Sequence, residues 1–271
     1  SIVLGAYAQF FGKRDSKTSD IPTNNTTDEN VIENPVQPEK EKTMEELKNE
    51  FVKTINNSFN VEEKDISKIE RINTEKSIVY IAYSIQQENK FYDIDLNIPM
   101  INIKGNIPKE FNKVTQEVFV KKANEVRKNK NNAEKIIYSI DYVGYLNDNI
   151  LSIIIKSSLK QGNNPQRIII QTYNYNIETK EKVSLNNIIE QKNINVQELQ
   201  NKINDVLKSV KKEETILINS GYPVYERNLE SEIYKIENIT NFFLNGEGKL
   251  YIVFAYGNQN FTSEFDIVKY E

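Results

Sequence analysis

The sequence contains no cysteine, no histidine and no tryptophan. Without Cys and His it cannot build Cys- or His-ligated zinc sites, iron–sulfur clusters or a His-ligated haem. It also cannot run Ser-His-Asp or Cys-His catalysis, or any mechanism with a His general base. Chemistry, if any, would fall to Asp, Glu, Lys, Tyr, Ser or Thr. The lack of Cys suits the cytosol, and equally export from a bacterium that does not rely on disulfides. Excess charge of one sign is missing too. Lys and Arg number 35 against 39 Asp and Glu, net −4, so the basic footprint of a nucleic-acid binder is absent and no nucleic-acid partner is expected. The apolar run at the N-terminus covers only residues 1–12, where a bilayer span needs about 20.

Asn, Ile, Lys and Tyr are heavily used instead. Their codons are AT-rich, which points to a low-GC Gram-positive bacterium. Single Asn and Lys residues therefore carry little functional weight, and the cluster Lys128 to Asn132 reads as a solvated turn.

Residues 1–14 read as a truncated membrane or signal segment. The chain starts on Ser1 rather than Met, so a segment upstream is expected. Ala6-Tyr7-Ala8 has the small-x-small form that a signal-peptidase-type protease accepts, making Ala6 and Ala8 the expected cleavage positions. A short apolar helix packed on a neighbour is the competing reading. Residues 15–42 are rich in Ser, Thr, Asn, Asp, Glu and Pro. Such a segment buries too little surface to offset the entropy of ordering, and is expected to be a disordered linker.

Order begins at Thr43. Thr43-Met44-Glu45-Glu46 has the capping-box form, and Met44, Leu47, Phe51, Ile55 and Phe59 recur at helical spacing. A hairpin follows over about 77–87 and 90–98, with Tyr92, Ile94, Leu96 and Ile98 alternating against Asp93, Asp95 and Asn97. Pro99 is expected to end the second strand. A helix runs from Pro108 to about Arg127. Strands at about 135–145, 149–159 and 166–177, joined by short turns, imply an antiparallel meander. A third helix covers about 196–211, and strands at about 241–244, 249–256 and 261–269 close the chain, with a turn at Asn245-Gly246-Glu247-Gly248. The fold class is α+β: antiparallel sheets with about three helices packed on them, behind a disordered N-terminal tether. Two units are expected, 43–165 and 166–271, which could join through the long central strands.

Four runs then resemble a known family. KFYDIDLNIPMINIK (90–104), EKIIYSIDYVGYLNDNILSIIIKSS (134–158), QTYNYNIETKEKVSLNNII (171–189) and the closing hairpin 241–270 with Tyr256 are similar to the extracytoplasmic domain pair of RsiV-type anti-sigma factors. The non-catalytic region of PdaC-type peptidoglycan deacetylases shares that pair. On this likeness 43–165 is PdaC-like and 166–271 RsiV-like. The resemblance implies a membrane-anchored, extracytoplasmic sensor that gates proteolysis near the membrane. It also implies lysozyme or another envelope protein as partner, because some members recognise lysozyme. Many members carry a Gly-Gly-Ala-His-like stretch before the Tyr-Asn strand. Here the run is Gln161 to Arg167; Gly162 matches and the His is missing. The deacetylase's metal-binding His residues are missing as well, so that activity does not carry over.

Several side chains remain to be weighed as chemistry. Asp93 and Asp95 share one face of a strand, about 7 Å apart. They could form an acid/base pair or hold a hard cation, but read as the wet face of a hairpin. Asp141, Tyr142 and Tyr145 could touch a glycan and read as structural. Tyr173 and Tyr175 share one strand face, with Asn174 and Asn176 on the other. Tyr rings stack on sugars and anchor interfaces, though these two also read as core residues with satisfied hydroxyls. The turn-rich loop with Gly162, Asn163 and Asn164, followed by Arg167, one of five arginines, is the expected partner contact. The candidate binding set is therefore Gly162, Asn163, Asn164, Arg167, Tyr173 and Tyr175. No catalytic residue, metal or cofactor is assigned. The leading reading is the sensor. Its rivals are a secreted or anchored envelope module that binds peptidoglycan or another glycan, and a carboxylate enzyme such as a glycosidase.

Overall fold

In a computed structural model, residues 41–57, 68–257 and 262–271 are described. The expected cleavage positions Ala6 and Ala8, and the linker as far as residue 40, lie outside them. Residues Lys42–Glu271 form one compact unit.

The first helix, α1 (Met44–Asn57), starts with the capping box read from the sequence. Glu46 N–H donates to Thr43 Oγ1 (3.2 Å), and Thr43 N–H to Glu46 Oε2 (2.8 Å). Strands β1 (Val79–Glu88) and β2 (Tyr92–Ile101) form the expected hairpin. Pro99 does not end β2. It sits opposite Ile81, where the register slips between Ile81 and Tyr83. The pairing of β2 with its other neighbour spans only residues 92–96. A bulge and an unpaired flank tolerate a residue without an N–H.

The chain next crosses through α2 (Asn106–Arg127) into β3 (Ile136–Asn147), which lies parallel to β2. This is the one parallel pair of the sheet, and it follows from the intervening helix, because a short turn could only have reversed the direction. Strands β4 (Ile150–Gln161), β5 (Arg167–Asn176) and β6 (Glu181–Lys182) continue antiparallel, giving a six-stranded sheet A in sequential order. The 165/166 boundary expected from the sequence thus falls in a turn between two paired strands. A short helix not read from the sequence, α3 (Leu185–Gln191), follows, with Ser184 and Asn187 capping each other. Helix α4 (Val196–Asn219) runs eight residues past the expected end at 211. Strands β7 (Phe242–Leu244), β8 (Leu250–Ala255) and β9 (Phe265–Tyr270) form an antiparallel sheet B.

Period-two alternation sorts the side chains into layers. One face of sheet A packs Ile94, Leu96, Tyr138, Ile140, Tyr142, Leu151 and Ile153 against Phe119, Ala123 and Val126 of α2. On the other face, Val143, Ile154 and Ile170 meet Phe51 and Ile55 of α1 and Val253, Phe265 and Ile267 of sheet B. Sheet B buries its far face under Leu199, Ile203 and Leu207 of α4 and Leu185 and Ile188 of α3. A polar seam fastens the two sheets. Asn174 donates to Phe242 O (2.8 Å), Ser152 Oγ donates to Asn174 Oδ1 (2.6 Å), Leu244 N–H donates to Ser152 Oγ (3.2 Å), and Phe242 N–H to Thr172 Oγ1 (2.9 Å). Buried polar groups are stable in such a place only when each finds a partner.

Candidate functional site

Sheet A is only half covered on the α1 side. Along β1, Ala82, Ser84, Gln86 and Glu88 are exposed, alternating with half-buried Ile81, Tyr83 and Ile85. Ser84, Gln86 and Glu88 stand beside Asn97, Asp95 and Asp93 of β2. The next two strands carry Ile137, Ser139 and Asp141 opposite Lys160, Ser158 and Lys156. The half-face therefore has an acidic side on β1 and β2 and a basic side on β4. Ile137, 40% exposed, lies between the two.

The centre of this face is partly desolvated. Asn97 Nδ2 donates to Asp141 Oδ1 (3.2 Å), and Lys156 Nζ donates to Asn56 Oδ1 (3.2 Å) at the end of α1. Burial pushes the Asp141 carboxyl up, against the opposing effects of Asn97 and Lys156. Burial likewise pulls Lys156 down, against the attraction of Asp141. Each charged form is thus held in the fold at a cost that the other reduces. Asp93 and Asp95 share this face as expected. Among the described residues no group of three or more His, Cys, Asp or Glu side chains is placed to hold a metal.

Three loops gather at one end of the sheet. Ile136 N–H donates to Phe91 O (3.0 Å), and Asn129 Nδ2 donates to Phe91 O (2.9 Å) and Glu134 O (3.0 Å). Gly162 N–H donates to Lys135 O (2.9 Å), and Gln161 Nε2 to Glu134 Oε2 (3.2 Å). The turn 89–91, the segment 129–135 and the β4–β5 loop are thereby tied together. Lys90 and Lys130 lie over the Phe91 ring, 4.9 and 5.5 Å from its centroid. Gly162 has φ of +53°, and a Cβ there would stand 3.3 Å from Ala133 O and Glu134 Cα. Both features favour glycine here, by the positive φ and by the tight approach of the 133–134 backbone.

The structure divides the six expected binding residues. Gly162, Asn163 and Asn164 belong to the loop cluster, with Asn163 and Asn164 exposed. Arg167 pairs with Leu159 and lies on the α2 side of the sheet, half-buried, away from the open half-face. Tyr173 and Tyr175 face α2 rather than the open half-face, Tyr173 half-buried and Tyr175 in the core, the packed position that the sequence also allowed. Tyr175 is fully buried. Tyr173 packs on Phe111, ring centroids 4.5 Å apart, and donates to Ile107 O at 3.3 Å. Period two sent these rings to the core and sent Asn174 to the seam between the sheets. Asn176 Oδ1 accepts from Glu178 and Thr179 N–H and closes the following turn.

One cluster was missed. Arg227, 4% exposed, donates to Asp266 Oδ2 (2.6 Å) and Oδ1 (3.0 Å), to Glu264 Oε2 (3.0 Å) and to Glu214 Oε2 (3.3 Å). Tyr256 OH donates to Asp266 Oδ2 (2.8 Å) and shares a hydrogen bond with Tyr234 OH (2.8 Å). Lys48 of α1 lies 3.4 Å from Asp266. Burial works against the guanidinium's charge, and the Asp266 carboxylate more than offsets this, so the Arg227 pKa is raised. The cluster pins segment 222–228 and α1 to sheet B. The sequence did carry a signal: Glu214 continues the apolar stripe 199, 203, 207, 210 of α4, and a carboxylate in a core position needs a buried cation.

No family model and no curated protein matches the chain. Among solved structures, it is similar to a DUF3298 family protein from Pseudomonas aeruginosa PAO1. The identity is 11%, over 70% of this chain and 86% of that one, with a TM-score of 0.40. It is also similar to a member of the same family from Bacteroides fragilis, at 12% identity, over 66% of this chain and 80% of that one, with a TM-score of 0.34.

Proposed function

We propose that this chain is a non-catalytic, extracytoplasmic binding domain that senses an envelope protein, as the resemblance to RsiV-type anti-sigma factors implies. The observation that carries this reading is the half-open face of sheet A bordered by the three-loop cluster. It is a rigid, sheet-borne surface of two charge signs with an apolar spot at Ile137, the composition of a polar docking patch rather than of a core. The acidic side, Glu88, Asp93 and Asp95, suits a basic protein such as lysozyme. In the proposed mechanism the partner seats on this face, and the apolar segment near Ala6 and Ala8 becomes accessible to a signal-peptidase-type protease.

Calorimetric titration of the full chain with purified lysozyme tests this. Saturable binding is expected, weakened at least about tenfold by Asp95→Lys, since a like charge facing a basic partner costs more than 1.4 kcal/mol. Absence of binding, or binding indifferent to Asp95→Lys and to Asn163→Asp, would overturn the assignment of this face.

A further inference from the structure

Helix α4 outruns the body it packs on. Its buried stripe is Leu199, Ile203, Leu207, Val210 and Glu214, and from Thr215 to Pro223 every residue is exposed. Ile216 is 66% exposed, Leu217 42%, Ile218 41% and Tyr222 41%. The two legs of this projection are fastened at its base. Arg227 N–H donates to Glu214 Oε2 (3.1 Å), the guanidinium lies 3.3 Å from the same oxygen, and Lys211 bridges Glu214 (2.6 Å) and Glu226 (3.5 Å). Tyr225 N–H donates to Glu264 Oε1 (2.8 Å), and its ring stacks on Tyr256 with centroids 4.1 Å apart. The tip, residues 215–224, therefore stands on a fixed base.

Three features set this tip apart from an ordinary wet surface. Residues 215–225 hold no charged side chain. Ile216, Leu217 and Ile218 are consecutive, so they spread round about 200° of the helix. A flat partner covers one face, a stripe of about 100°, and would leave part of this set in water. The backbone at the end is also satisfied from within. Ser220 Oγ and N–H both donate to Ile216 O (2.9 and 3.1 Å), Tyr222 N–H donates to Leu217 O (3.0 Å), and Gly221 N–H to Ile218 O (2.9 Å). The last two bonds form a Schellman motif, which Gly221 allows at a φ of +83°. Carbonyls that would need water at an open helix end already have donors.

We infer that this tip inserts into the interfacial layer of a lipid bilayer. A fluid layer surrounds a projection on all sides, as the spread of the three aliphatic side chains requires. Backbone groups without a partner are costly there, and the internally satisfied end avoids that cost. Residues 215–219 rise about 7 Å, which matches the depth of about 5–10 Å at the boundary of headgroups and acyl chains. Tyr222 has the amphipathic ring that suits this boundary. The charges behind the tip are mixed, with Lys211 held by Glu214 and Glu226 and Lys212 next to Glu213, and the chain as a whole is net −4. Insertion is therefore driven by apolar contact and does not need anionic lipid. It is independent of the docking face and of any protein partner.

The chain has no tryptophan, so Leu217→Trp gives a single fluorescent reporter at the tip. Val196→Trp, at the exposed start of the same helix, is its control. Both are made in the full chain and titrated with phosphatidylcholine vesicles. Residues 1–12 are apolar as well, so pelleting with vesicles would not isolate the tip, and the emission is read locally instead. Leu217→Trp should show a saturable blue shift, half complete at about millimolar lipid or below, since one myristoyl chain reaches only about 0.1 mM and the tip buries less apolar surface. Brominated acyl chains should quench it. Replacing half of the lipid by phosphatidylglycerol should change the midpoint less than about threefold, because no basic cluster gains from it. Val196→Trp should show neither shift nor quenching. Ile216→Asn with Ile218→Asn, added to Leu217→Trp, should lower the partition of the reporter at least about tenfold. Both positions are exposed, so circular dichroism should show the fold retained; if it does not, the two reporters decide. No shift, an equal shift in both reporters, or a shift only with phosphatidylglycerol overturns the inference. So does a concentration-dependent shift of Leu217→Trp without lipid, which would put a second copy of the chain on the tip.

Discussion

Replacing Arg227 by Met removes the cation that hydrogen-bonds both oxygens of fully buried Asp266, and one of the two that hold Glu214, which keeps Lys211 at 2.6 Å. The guanidinium makes four carboxylate hydrogen bonds and a fifth contact, NH1 to Tyr225 O at 3.3 Å. Lys48, 3.4 Å from Asp266, supplies one charge but not the planar fork that fits several acceptors. Breaking a buried pair on one side costs about 3–5 kcal/mol, because the remaining charge stays buried without its partner. For a unit of this size, each kcal/mol lowers Tm by about 2–4 °C, so a fall of about 6–20 °C is expected. Circular-dichroism melts, with urea unfolding for the free energy, measure it. Adding Asp266→Asn to Arg227→Met removes the orphaned charge while leaving an acceptor for Tyr256, and should return at least about 1 kcal/mol. A loss below about 1 kcal/mol for Arg227→Met, with no recovery in the double variant, would refute the reasoning. It would mean that water already reaches the cluster.

Three further outcomes follow from the same geometry. Asn174→Ala removes a seam side chain that is bonded to Ser152 and Phe242 O; it should cost about 1–3 kcal/mol and lower the urea midpoint. Phe51→Ala opens the core where α1 meets Phe243 and Phe265, with centroids at 6.1 and 5.7 Å, and should cost about 3–5 kcal/mol by thermal melting. The buried tyrosines predict alkaline unfolding. Burial pushes Tyr145 and Tyr234 up to about 12, and raises Tyr138, Tyr142 and Tyr173 further. A raised folded pKa favours the neutral phenol in the fold, so this stability is complete below the ordinary value of about 10 and is lost as pH rises through 12 and above. Tyrosinate absorbance should therefore rise in two stages: exposed tyrosines first, the buried set only with the cooperative loss of structure. A single smooth titration would contradict it.

The elements legible from the sequence were those with a clear period or turn. The hairpin around Tyr92 to Ile98, the β3–β5 meander and the capping box at Thr43 all lie where local chemistry and tertiary packing agree. What the sequence could not show was arrangement. Nothing local distinguishes a strand entering antiparallel from one returning beside β2 through α2. The Tyr-Asn-Tyr-Asn run was read correctly as alternating, but alternation does not say which face is interior. The sheet turned its tyrosines toward α2 and its asparagines toward β7. The end of α4 was missed because Glu214 reads as polar, and its buried partner Arg227 lies 13 residues away along the chain. The loop at Gly162 was legible through its turn chemistry.

The central claim is that a protein partner seats on the half-open face of sheet A beside the loop cluster. Hydrogen exchange of the full chain with and without lysozyme tests it most directly. The account predicts slowed exchange in residues 84–97, 129–141 and 156–166, with sheet B unchanged. No protection, or protection confined to α4 and sheet B, would contradict it.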